Sequence, residues 1–245
     1  MRLAVVCLLL ITLVTPGVGQ ETWAPDVAAA AEYARHRRGI IRFAVVDEAG
    51  RMHGRRIAGT APMASVFKVM LMATYLRRVR ERDLRGDDRR LLGPMIRRSD
   101  NAAATRVRDI VGAPALRRLA RDAGMRDFRL HPTWGLSRTS PRDQARFMFS
   151  LEEFVPDRHD DTARRLLSGV VQRWGIPRAA PPGWDVYCKG GWGSGTGWVT
   201  HQVAFLERGE RRIAVAILVQ DSPSHRYGTT TVREVASRLL RGLPE

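Results

Sequence analysis

Strand-like apolar runs stand at the two ends of this chain and are missing from its middle, which constrains the fold more than any other feature. Near the start, Ile40 to Val46 reads as a strand rich in β-branched residues. A turn over Asp47 to Arg51, containing Ala49-Gly50, leads to a shorter strand ending near Ala58-Gly59. Strand patterns return only at Val186 to Lys189, Gly197 to Leu206 and Arg212 to Val219, the last two joined as a hairpin through Glu207 to Arg211. Between them lie a buried helix over Val66 to Leu76 and an Arg-rich helical stretch from Asp83 to Met125, punctuated by Gly93-Pro94, Gly112 and Gly124. Residues 126–139 carry no period and read as a loop. Helices follow at about 141–154, opened by Ser140-Pro141, and at 160–174. Helices also bracket the chain at Pro25 to Arg35 and Thr229 to Leu240. The expected fold is α/β in the α+β sense: an antiparallel sheet built from both termini, flanked by helices, with a helical lobe over about 83–175 inserted. There is no internal repeat, and the longest linker is Pro177 to Gly183. A functional cleft therefore belongs where the two lobes meet.

The first residues bear on compartment. Met1-Arg2 precedes a twelve-residue apolar run, Leu3 to Val14, the charged start and short core of a secretory signal. A bilayer span needs about 20 apolar residues, and Pro16 and Gly17 interrupt this run, so no membrane span is expected. Gly17 and Gly19 predict cleavage near Gly19 or Gln20, giving a signal peptide over 1–19 and one domain over 20–245. The protein is expected to be secreted, extracellular or wall-associated, and monomeric. Cys7 falls inside the signal, and the remaining Cys188 has no partner for an internal disulfide. Stability must then come from the core, and 245 residues that are 44% apolar can supply one.

The net charge of +16, from 41 basic and 25 acidic residues, would suit nucleic acid in an intracellular protein. Here the basic residues are scattered, as in Arg77-Arg78, Arg89-Arg90 and Arg164-Arg165, and only 7% of residues are aromatic. A solvated basic surface on an exported protein accounts for them, and nucleic acid is not expected as a partner. Only Lys68 and Lys189 are lysine, so 39 of the 41 basic residues are arginine. Arginine stays charged at neutral pH, whereas a desolvated lysine can give up its proton. The two lysines are therefore the first places to look for chemistry.

Lys68 closes Ser65-Val66-Phe67-Lys68, which puts a hydroxyl and an amine on one helix face. Apolar neighbours would desolvate Lys68 and make it a base for an otherwise weak nucleophile. Taken alone the motif is equally an N-cap serine and a snorkelling lysine. Ser99-Asp100-Asn101 precedes a helix and reads alone as a cap. Lys189-Gly190-Gly191 ends a strand and opens the Gly-rich loop from Trp192 through Ser194 and Thr196 to Gly197, alone a flexible connection. Together and in this order, with both lysines inside them, they are not bland.

The set resembles the penicillin-recognising serine hydrolases, and is most similar to class A β-lactamases with their Ser-x-x-Lys, Ser-Asp-Asn and Lys-Thr-Gly motifs. Thr139-Ser140-Pro141 and Pro182-Gly183-Trp184 extend the resemblance over essentially the whole mature chain. It implies that Ser65 is acylated, that Lys68 is base or proton relay, and that Ser99 passes the proton to the leaving nitrogen. It also implies that Asn101 holds the substrate's side-chain amide and that Lys189 holds Ser99 and attracts the substrate carboxylate. The backbone N–H groups of Ser65 and Trp192 would form the oxyanion hole, and no cofactor or metal is called for.

The sequence departs from that family in three places. No glutamate lies between Glu81 and Glu152, so the loop residue that activates the deacylating water is missing. The shortened loop 126–139 offers only Asp127 and His131, His131 being read as a solvent-facing residue or a substitute base, and Glu152-Glu153 as a solvated helix face. Gly190 replaces the hydroxyl residue of the last motif, with Ser194 or Thr196 as possible stand-ins. The segment from Lys68 to Ser99 is also short. Cys188 should point away from the site by strand alternation. Three readings stay open: a slow β-lactamase, a D,D-peptidase-like enzyme acting on D-Ala-D-Ala stem peptides and trapped by β-lactams, or a non-catalytic module that binds anionic wall polymers.

Overall fold

The computed structural model describes residues 23–193 and 198–245. The signal-peptide reading of 1–19 and the stand-ins Ser194 and Thr196 lie outside the described residues.

Helix α1 (Val27–Arg35) leads into β1 (Ile40–Val46) and β2 (Met52–Arg55), then β3 (Ala61–Pro62). A helical lobe follows: α2 (Phe67–Arg78), α3 (Gly86–Arg97), α4 (Asn101–Asp122), β4 (Arg138–Thr139), α5 (Pro141–Phe149) and α6 (Asp157–Ser168). The chain then returns through α7 (Ile176–Ala179), β5 (Asp185–Gly193), β6 (Val199–Arg208), β7 (Arg211–Gln220) and α8 (His225–Leu239). The main sheet has the order β2-β1-β7-β6-β5 and is antiparallel throughout. Strand β7, from the C-terminal part, pairs with β1, from the N-terminal part, as the distribution of apolar runs predicts. Helices α1 and α8 pack together, α8 against β6 and β7, while α5 packs on β1, β6 and β7. No helix among the described residues is long and apolar enough to cross a membrane.

Several boundaries differ from the expectation, each for a local reason. Strand β2 stops at Arg55 because Arg56 turns to φ 51° and the Gly59 N–H bonds back to its carbonyl at 2.9 Å. Strand β5 runs four residues past Lys189, since its glycines stay paired with β6 as far as Gly193 opposite Val199. The stretch 83–125 breaks at Arg98 to Asp100 and kinks at Gly112, whose φ is 73°. The helix expected over 141–154 ends at Phe149 and continues as a single 3-10 turn, Leu151–Phe154. The helix expected at 160–174 begins after Pro156, with Asp157 in its first turn, and ends at Gly169. Helix α8 starts four residues early, capped by Ser224, and tolerates Gly228 because a Cβ there would meet Thr200 Oγ1 at 2.3 Å.

The core runs through α2, whose residues Phe67 to Leu76 are all buried. One buried polar group ties the sheet to the start of this helix. His201 on β6 faces Pro62, its Nε2–H donating to the Pro62 carbonyl at 2.9 Å, while Nδ1 accepts the Val219 N–H at 3.1 Å. Burial holds its pKa down at about 4, against an ordinary 6.5. A second proton on Nδ1 would also leave the Val219 N–H without an acceptor. The unfolded chain binds this proton more tightly, so the stabilisation is complete above about pH 6.5 and is lost as pH falls through about 4. The difference amounts to about 3 kcal/mol. Urea midpoints should therefore fall on acidification to about pH 4, and His201→Gln should flatten that fall; an unchanged slope would show that His201 does not titrate on unfolding.

Candidate active site

Strand β3 pairs with β4, and the Met63 N–H donates to the Ser137 carbonyl at 2.7 Å. The chain then turns sharply: Ala64 adopts φ 46°, a left-handed conformation that costs a residue with a Cβ about 1–2 kcal/mol. This opens the 3-10 turn Ala64–Val66, which carries Ser65 and feeds into α2. Ser65 thus precedes the α-helix proper, one turn ahead of Lys68. Its hydroxyl makes no hydrogen bond among the described residues and faces a cleft of about 190 Å³. Asn101, the loop residues Thr133 to Leu136, and Trp192, Gly193 and Val199 also line this cleft.

Lys68 is fully buried. Its Nζ donates to the Ser99 carbonyl at 2.5 Å, to Asn101 Oδ1 at 2.8 Å and to Ser99 Oγ at 3.2 Å. Capping explains how one tripeptide serves it twice. Asp100 accepts the Ala103 N–H at 2.7 Å and so takes the role of N-cap of α4, which frees its neighbours. Ser99, at φ 61°, turns its hydroxyl outward to the third element. There Lys189 Nζ, also fully buried, donates to Ser99 Oγ at 3.0 Å and to the Gly190 carbonyl at 2.8 Å. The Ser99 hydroxyl therefore lies between the only two lysines of the chain. Burial pushes Lys68 down to about 8. It pushes Lys189 down to about 7, with the neighbouring Lys68 charge adding to the effect.

Strand β5 forms the opposite wall. A Cβ on Gly191 would stand 3.0 Å from the Ser65 nitrogen and 2.9 Å from that of Val66, so only glycine lets the strand approach the serine turn this closely. The Trp192 amide follows directly. Gly190 has a ring against it: a Cβ there would meet Trp174 Cζ2 at 3.3 Å. Cys188 is buried, and desolvation raises its thiol to about 11, so it is inert.

The other candidates fall away from the cleft. Asp127 pairs with Arg142 at 2.9 Å. Glu152 pairs with Arg212 at 2.5 Å and with Arg164 at 3.4 Å, and Glu153 is exposed. His131 Nδ1 accepts the Thr133 N–H at 3.0 Å and shapes its loop outside the cleft lining. Sequence reasoning missed Trp134. Its ring lies 5.0 Å from Lys68 Nζ and stacks on Phe67 at 6.3 Å, while its Nε1–H donates to Thr105 at 3.2 Å. A tryptophan in a short aperiodic loop is the only sequence signal for it. The loop is held by Asp143 of α5, which accepts the Arg126 and Asp127 N–H groups at 3.1 and 2.7 Å.

A family model described as the beta-lactamase enzyme family matches residues 89–243, which include Ser99, Asn101 and Lys189. The chain belongs to the β-lactamase enzyme family. The match begins after Ser65 and Lys68, which enter through the geometry above. Among solved structures, a beta-lactamase from Sphaerobacter thermophilus superposes with a TM-score of 0.80 at 22% identity, over 90% of this chain and 98% of that one. A protein described as PBP-A gives 0.77 at 17% identity, over 89% and 95%. A beta lactamase from Xanthomonas campestris gives 0.76 at 19%, over 88% and 96%. No curated protein sequence matches the chain.

Both amines of this β-lactamase-family chain hold their protons less tightly folded than unfolded. Folding therefore releases protons between about pH 7 and 10.5, so stability rises with pH across that window and is lost as pH falls through it. In denaturant melts at about pH 7 and about pH 9.5, the native chain should gain more stability at the higher pH than Lys189→Met does. Equal gains would mean that Lys189 keeps an ordinary affinity for its proton.

Proposed function

We propose that this chain is an exported serine hydrolase that opens β-lactam amides through a Ser65 acyl-enzyme and releases the acyl group slowly. Export rests on the charged start and the apolar run Leu3 to Val14. The reading is carried by the Ser99 hydroxyl, shared at 3.2 and 3.0 Å by two desolvated lysine amines, one of which, Lys68, stands one helical turn after a serine whose hydroxyl has no partner among the described residues.

In the proposed acylation, neutral Lys68 takes the Ser65 proton as Oγ bonds to the lactam carbonyl carbon. The developing oxyanion lies against the Ser65 and Trp192 amides. The C–N bond then breaks, and the nitrogen receives a proton from Ser99 Oγ, which Lys68 replenishes. Asn101 would hold the substrate's side-chain amide. Lys189, when protonated, orients Ser99 and attracts the substrate carboxylate, whose charge raises the lysine's affinity for that proton.

Slow release follows from what surrounds the ester. Hydrolysis needs a water beside a base, yet the described residues lining the cleft include no carboxylate, and the Trp134 indole lies over Lys68. A bulky apolar ring over the candidate base takes the space such a water would need.

Intact mass spectrometry after exposure to penicillin tests this. The native chain should gain one penicilloyl mass within minutes and keep it for hours. Ser65→Ala should gain none, and Lys68→Arg should react at least about a hundredfold more slowly, because arginine cannot accept the proton. No adduct on the native chain would sink the acyl chemistry, and an adduct lost within seconds would sink slow release. Gly191→Ala should slow acylation at least about tenfold with little change in circular dichroism, since its Cβ displaces the Ser65 turn.

A further inference from the structure

A second concave surface among the described residues lies outside the catalytic cleft. It is a groove of about 980 Å³ between the segment leading into α7 and helix α8, lined in part by Arg173, Arg178, Arg226 and Arg233. None of its described lining residues is acidic, and Thr229, Thr230 and Ser237 add hydroxyl donors. Only Arg233 has a carboxylate partner among the described residues, Glu234 at 3.2 Å. Arg173 is fixed by neutral carbonyls, Ser168 O at 2.7 Å and Val186 O at 3.3 Å, which orient its guanidinium and leave its charge uncompensated. The contrast is with another basic hollow, around Arg77, Arg78, Arg80 and Arg118, where Arg77 pairs with Asp122 and Arg80 with Glu81. That hollow is about 310 Å³.

Trp174 connects the groove with the catalytic strand. It lines the groove, its ring covers Gly190, and it meets His225 edge-on at 5.9 Å. His225 in turn lies 5.8 Å from Trp192 of the cleft. The indole N–H of Trp174 has no acceptor among the described residues.

We propose that this groove binds a sugar- or polyol-phosphate polymer, a chain of phosphodiesters held by guanidinium forks and hydroxyl donors beside the acylation site. Arginine suits phosphate through paired N–H bonds, and a run of unpaired guanidinium groups suits a repeating anion. Nucleic acid, the other phosphodiester polymer, is disfavoured by the aromatic content of the groove. Among its described lining residues Trp174 is the one aromatic ring, so the groove has no series of rings on which successive bases could stack. The groove is argued independently of the Ser65 chemistry, and its test reads binding alone.

The probe is a fluorescein-labelled glycerol-phosphate hexamer, titrated by polarisation at about 150 mM NaCl, where non-specific surface attraction is largely screened. The native chain should bind it, with affinity falling as salt rises. Arg178→Gln with Arg226→Gln should weaken binding at least about tenfold. Arg78→Gln with Arg118→Gln removes the same two charges from the other hollow and should change it less than about twofold. All four residues are exposed, and thermal melts check that both variants fold. Equal losses in the two variants would reduce the effect to overall charge and overturn the proposal. So would no binding by the native chain, or tighter binding of a single-stranded oligonucleotide of equal charge.

Discussion

Two buried ammonium groups sharing one hydroxyl is the arrangement on which the rest of this structure depends. Lys68 comes from α2, Ser99 from the junction of α3 and α4, and Lys189 from β5, so three separate parts of the chain meet at Ser99 Oγ. Isolated buried cations are costly. Here each amine is met by oxygens, two carbonyls and the Asn101 amide among them. The two charges still repel, which is one reason Lys189 yields its proton so readily. The helical lobe and the sheet are joined at a place where the chain has traded some stability for protons that can move near neutral pH.

Backbone strain makes that meeting possible. Ala64 and Ser99 are both left-handed although neither is glycine; the first precedes Ser65, and the second itself carries the hydroxyl the lysines share. At Ala64 the bend lifts Ser65 clear of the helix. At Ser99 it separates the hydroxyl shared by the two lysines from the capping duty that Asp100 takes over. Strain of this kind persists where surrounding packing over-determines it, and the fully buried run of α2 provides such packing.

The sheet, its antiparallel pairing and the three motifs were legible because each depends on local pattern: β-branched runs, cap chemistry, and the survival of lysine in an arginine-rich chain. Boundaries set by tertiary contact were not. Strand β5 outran its expected end because β6 lies beside it, and Gly228 falls inside α8 where a bare backbone is needed to clear Thr200. Trp134 and His201 escaped for the same reason. One acts by covering an amine 66 residues earlier in the chain, the other by bridging to Pro62 across the sheet, and nothing in their immediate neighbours announces either contact.

Gly190 shows how such contacts constrain change over time. The bare position in the lysine strand is occupied from outside by the Trp174 ring, which sits where a side chain would have to grow. A Cβ added there would press on that ring, which would have to give by a few tenths of an ångström. The same indole also lines the arginine groove. One ring thus forms part of two walls, and a change on either surface would be felt by the other through it.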